Sequence, residues 1–173
     1  MSETFQHLTP VDEKLFFRKN DRNDLRLGEI VPNTKYEDAE IVILGCPQDE
    51  GVKRNNGRIG AALAPDAIRE QFYRLTPFGI NHKICDLGNL NFQNSLENTH
   101  DELTNIVKQI ISAGKKVIIL GGGNDISYAD GKAMAEVFGA GNWLGVNVDA
   151  FLDVRSDVVR SSGTPIVNCS KKN

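Results

Sequence analysis

Apolar residues along this chain recur at two periods. AEIVILG (39–45) is a short β-branched run ending in Gly and followed closely by Pro47, and it predicts a strand buried on both faces. KKVIILGGG (115–123) predicts a second buried strand that opens into glycines, NWLGVNVDA (142–150) another, and KICDLGNL (83–90) a weaker one. Between them the period lengthens. APDAIREQFYRL (64–75) places Pro65 in a first turn and Ile68, Phe72 and Leu75 at helical spacing. SLENTHDELTNIVKQIISAG (95–114) lines up Leu103, Ile106, Val107 and Ile110 on one face and ends on Gly114, and ISYADGKAMAEVF (126–138) predicts a third helix. Strands alternating with helices imply right-handed crossovers and an α/β fold, with a mostly parallel sheet covered on both sides. In such sheets ligands gather beyond the carboxyl ends of the strands.

Two polar stretches fall at such ends, GGGNDISY (121–128) and VNVDAFLDVR (146–155). In an extended chain Asp149, Phe151 and Asp153 point to one side, so two carboxylates flank a phenyl ring. Together with Asn124 and Asp125 they could hold a hard cation through oxygen. Plainer roles stay open at this point: Asp153 pairing with Arg155 or capping a turn, Asn124 and Asp125 as helix N-caps, Phe151 as core. The glycine run does not make a nucleotide loop. Ile126 stands where a dinucleotide fingerprint needs its third glycine, and Gly131-Lys132 has neither the upstream glycine nor the following Ser or Thr of a P-loop.

Composition narrows the function classes. At 173 residues, 40% of them hydrophobic and 25% charged, the chain is sized for one globular domain with a real core. A net charge of -3 with basic residues scattered in short pairs argues against nucleic acid as a partner. Cys46, Cys85 and Cys169 are odd in number and lack CxxC spacing, which suggests neither a disulfide framework nor a zinc knuckle and favours a reducing compartment. A polar lead-in (1–38) without an apolar leader core, and no run long enough to span a bilayer, predict a cytoplasmic protein with no membrane contact. His7, His82 and His100 read as surface residues, Cys46 as packing, and Arg58 as a tie between its loop and the sheet, with carboxylate binding as its alternative.

Three blocks, LGCPQDEGVKRNNGRIGAALAPDAIREQF, VIILGGGNDISYADG and GVNVDAFLDVRSDVVRSSGTP, resemble in order and spacing the first half of the arginase/ureohydrolase superfamily, closest to its formimidoylglutamase branch. The likeness implies a three-layer αβα fold, here incomplete. It makes 1–173 a single domain with a family-like portion at 39–165 and a divergent tail at 166–173. It also implies two manganese ions that share a hydroxide attacking a guanidino or formimino carbon. Carried over by position, the metal-binding histidine of the family's Gly-Gly-Gly-His-Asp block falls on Asn124, the bridging aspartate of Asp-Ala-His-x-Asp on Asp149, its histidine on Phe151, and its second aspartate on Asp153, which would also orient the hydroxide. Ser161 to Pro165 matches the region that approaches substrate.

Asn124 offers a neutral oxygen that shifts preference toward magnesium or calcium, and Phe151 offers no donor. The family's later Ser-x-Asp-x-Asp-x-x-Asp-Pro block does not occur in the sequence. The expected reaction is therefore hydrolysis of N-formimino-L-glutamate to L-glutamate and formamide, impaired or absent in this chain, with at most one weakly bound divalent cation (Mn, Mg or Ca). A small amidine is the expected substrate and a homo-oligomer a further expectation. The alternatives are a non-catalytic family member that binds a cation or small ligand or serves as a partner subunit, and a truncated or frameshifted fragment.

Overall fold

The computed structural model describes residues 5–139, 141–156 and 159–165. Four strands, β1 (Leu8–Thr9), β2 (Ile41–Gly45), β3 (Ile84–Leu90) and β4 (Lys116–Leu120), form one sheet in the order β1-β3-β2-β4. β2 runs parallel to both neighbours and β1 closes the β3 edge in antiparallel pairing. Helices α1 (Leu27–Ile30), α2 (Glu50–Arg54), α3 (Ala64–Phe72), α4 (Leu96–Ser112) and α5 (Ser127–Phe138) fill the connections. The layers follow from the two-residue period of β2. Val42 and Leu44 pack with Leu103, Ile106, Val107 and Ile110 of α4 and Ala129 and Ala133 of α5. Ile43 faces the other way, onto Leu27, Val31 and Tyr73. This is the αβα arrangement that the alternating pattern predicts, and each fully buried aliphatic side chain contributes about 1.5–3 kcal/mol. No described helix is long and apolar enough to cross a membrane.

α4 forms where its signals are strongest. Ser95 Oγ accepts from Asn98 N at 3.1 Å as N-cap, and the predicted face is buried. Past the Ala113 cap, Gly114 takes φ +74°, a left-handed conformation that needs glycine. The β2–β4 ladder ends at Gly45 opposite Leu120, and Cys46 N donates to Leu120 O at 2.9 Å. The loops after the two strands therefore leave the sheet side by side.

Three expectations are corrected. The polar lead-in joins the fold: it supplies β1, and Phe5, Leu27 and Val31 are buried. Its apolar residues are too widely spaced to show a period. The inward face of α3 is Pro65, Arg69 and Tyr73, while Ile68 and Leu75 are exposed. Asp86 on β3 makes this workable, because Arg69 Nε and Nη2 each reach its carboxylate at 2.9 Å and Tyr73 donates to it at 2.5 Å. Finally, 142–150 is not a strand. Among the described residues the outer edge of β4 is unpaired, and 142–150 pairs neither with it nor with any other described strand. Leu144, Val146 and Val148 are 85%, 79% and 94% exposed.

Candidate metal centre

The glycine run of β4 ends in a single 3₁₀ turn, Asn124–Ile126. Asn124 Nδ2 donates to Asp153 Oδ2, so the two polar stretches do meet, and Asn124 Oδ1 accepts from Ser127 Oγ at 3.2 Å. Asp153 reaches this position with φ +47°, in the left-handed region. The extended alternation expected to align Asp149, Phe151 and Asp153 is thus replaced by a turn. Asp149 Oδ1 accepts from Phe151 N at 3.0 Å, and Asn147 Nδ2 donates to Phe151 O at 3.3 Å. Phe151 is 73% exposed, neither core nor buried in the site. Neither Asn124 nor Asp125 caps α5, which starts without a side-chain cap, and Arg155 pairs with Asn55 at 2.7 Å instead of with Asp153.

Asp125 turns inward, away from Asn124. Its Oδ2 accepts from Gln48 Nε2 at 2.6 Å and lies 2.7 Å from His100 Nε2, with both carboxylate and imidazole buried. This corrects the reading of His100 as a surface residue, which holds for His82, exposed beside Glu40. One available signal marks it: His100 is in helical phase with Leu96, Leu103 and Val107, on the buried face. Cys46 sits below the same loop, where burial, then the nearby Asp125 and Asp130, push its thiol up to about 12, in keeping with a packing role. Cys169 lies outside the described residues.

The Ser161–Pro165 run packs against the loop that carries α2. Ser162 N donates to Gly51 O at 3.0 Å, Asn55 Nδ2 to Ser162 Oγ at 3.1 Å, and Arg54 Nη1 to Arg160 O at 3.3 Å. Arg54 also pairs with Glu97, and Asp49 accepts from Gly60 N and Ala62 N at 2.9 and 2.6 Å. These residues secure the loop, while Arg58 is exposed and makes no hydrogen bond with the described residues, so it is not the predicted tie. Beside Asn124 opens a pocket of about 530 Å³ that Asp130, Met134, Trp143 and Val146 also line. Asp130 Oδ1 is buried there without a partner among the described residues, and burial pushes this carboxyl up to about 7.

Among the described residues no group of three or more His, Cys, Asp or Glu side chains is placed to hold a metal. What converges is the Asp153 carboxylate and the amide nitrogen of Asn124, joined by a hydrogen bond, while the Asn124 oxygen faces Ser127.

The pattern of the arginase family matches residues 39–173. The chain belongs to the arginase family. Formimidoylglutamase from Salmonella arizonae is 36% identical over 127 residues, 73% of this chain and 41% of that protein. Formimidoylglutamase from an Enterobacter species is 30% identical over 164 residues, 90% of this chain and 53% of that protein. The solved Trypanosoma cruzi formiminoglutamase with Mn2+2 superimposes with a TM-score of 0.77 at 37% identity, covering 84% of this chain and 52% of that one. An asparagine-to-histidine variant of that protein, also with Mn2+2, superimposes equally well at 36% identity. This arginase-family chain therefore spans about half the length of the relatives it matches.

Proposed function

We propose that this chain carries part of a formimidoylglutamase-type hydrolase centre in which Asp153 and Asn124 bind one divalent cation. The single observation that carries the reading is the meeting of Asn124 with Asp153 at the carboxyl end of the sheet. Asp149, whose carboxylate now accepts from the Phe151 amide, would be the third ligand. For Asn124 to ligate, its amide turns over, bringing Oδ1 to the place that Nδ2 now holds. The Trypanosoma cruzi relative is solved with Mn2+2 both as the parent and as an asparagine-to-histidine variant, which supports reading the metal of such a centre as manganese. Such a cation supplies charge stabilisation and the activation of water for hydrolysis.

The chain's own residues would do the rest. Asp153 would hold the cation and orient the attacking oxygen, while Arg155, which is tied to Asn55, and exposed Arg58 would offer planar forks for substrate carboxylates. The substrate class that fits is a formimino amidine bearing carboxylates, N-formimino-L-glutamate first, cleaved to L-glutamate and formamide. With Phe151 lacking a donor, turnover by this chain alone is expected to be low. Manganese titration followed by electron paramagnetic resonance tests the centre. One weak site per chain is expected, about tenfold weaker in Asp153→Asn and stronger in the double variant Asn124→His with Phe151→His. Unchanged affinity in a folded Asp153→Asn protein would overturn the assignment.

One further observation favours a second reading, a subunit that acts with another polypeptide: the open outer edge of β4 beside exposed Leu144, Val146 and Val148. Sedimentation of the purified chain separates the two, since a strictly monomeric and fully active chain excludes the second.

A further inference from the structure

We infer that His100 is a positioning residue for Asn124, acting through the wedged carboxylate of Asp125. The metal arm of this inference rests on the ligand role proposed above for Asn124, while the conformational arm stands without it. α4 delivers His100 fully buried, and Thr104 Oγ1, donating to His100 O at 2.8 Å, holds that turn of the helix. The imidazole leans on the Tyr128 ring of α5, centroids 5.8 Å apart. A carboxylate only accepts, so the 2.7 Å contact makes Nε2 the protonated nitrogen and Asp125 its acceptor.

The carboxylate is fixed from its other side as well. Gln48 Nε2 donates to the same Oδ2 at 2.6 Å, and Gln48 O accepts from Gly123 N at 3.2 Å, which ties the loop after β2 to the loop after β4. Asp125 Oδ1 lies against the backbones of Gly51 and Gly123, where a Cβ on either residue would collide with it. Two glycines and two donors thus leave the carboxylate one orientation. Successive side chains of a 3₁₀ turn diverge by about 120°. With Asp125 locked inward, Asn124 is aimed outward at Asp153.

The test compares His100→Leu, His100→Gln and Asn124→Ala, singly and as the His100→Leu, Asn124→Ala pair. Amide hydrogen exchange at 121–126 is measured against 42–45 of β2, and Mn2+ is titrated into each protein. In His100→Leu, exchange at 121–126 should accelerate about tenfold more than in β2, and His100→Gln, which keeps a donor, should restore most of the protection. Mn2+ affinity should fall about tenfold in His100→Leu and not fall further when Asn124 is already Ala. Equal acceleration in β2 would make His100 a core residue and nothing more. Failure of Gln to rescue, or an affinity loss that persists with Asn124→Ala, would likewise overturn the inference. Should the starting protein bind no Mn2+, the ligand reading fails while the exchange data still decide the positioning role. If His100→Leu does not fold, Gln48→Leu, which removes the other donor, takes its place.

Discussion

The two flanks of β2 are built to different degrees. On one flank β3 runs for seven residues, β1 covers its far edge, and α3 seals it through the buried Arg69–Asp86 pair. On the other flank β4 runs for five residues, exposes Ile118, and has no described strand beyond it. The segment 142–150 that would be expected to extend this flank alternates as a strand should, yet lies open. Apolar alternation alone therefore does not make a strand, because an extended segment satisfies its amides and side chains only once it is paired and covered, and 142–150 is neither although the β4 edge is open. The candidate site straddles the boundary. Asn124 follows β4, the last paired strand of the open flank, and Asp153 follows the segment that pairs with no described strand.

The largest expected effect lies on the closed flank. Arg69 is fully buried and holds Asp86, Asn89 and Gly88 O as well as exposed Asp66. Arg69→Met would leave the buried Asp86 carboxylate without its cation, and urea unfolding should show a loss of about 3–5 kcal/mol. A loss below about 1 kcal/mol would mean that this flank is as loosely built as the other.

Asp130 tests the boundary itself by pH. Its folded value of about 7 lies above the ordinary 3.8, so the folded protein keeps a proton that the unfolded chain has released. Stability should thus fall as pH rises from about 4 to about 7 and level off above that, by about 1–3 kcal/mol for a carboxyl that partly lines an open pocket. Asp130→Asn should flatten this slope and be the more stable protein at pH 8. A slope that persists in the variant would place its origin elsewhere. A slope missing from the parent would mean that a donor reaches Oδ1 on the open flank, contrary to the comparison.

How much of this was legible in the sequence depended on whether the deciding partner was near in the chain. β2, α4 and the parallel order follow from local period and capping, and the two polar stretches that the sequence marks do lie side by side, with Asn124 bonded to Asp153. Arg69 was not found, because its partner Asp86 is on another element and a buried charge looks like a surface one until that partner is placed. His100 was missed for the same reason, although its helical phase with Leu103 pointed inward. Strand 142–150 was over-read because periodicity carries no information about whether a segment finds a partner strand.

The smallest expected effect is the sharpest test of the open flank. Val148 is 94% exposed, so Val148→Ser removes almost no burial and should change unfolding free energy by less than about 0.5 kcal/mol in the isolated chain. Leu103, fully buried under β2, sets the contrast, with Leu103→Ala costing about 2–5 kcal/mol. The near-neutral result has to hold at every protein concentration. If the Val148→Ser cost grows as the chain is concentrated, Val148 is being buried between molecules, and the open flank is an interface whose partner is present in the solution.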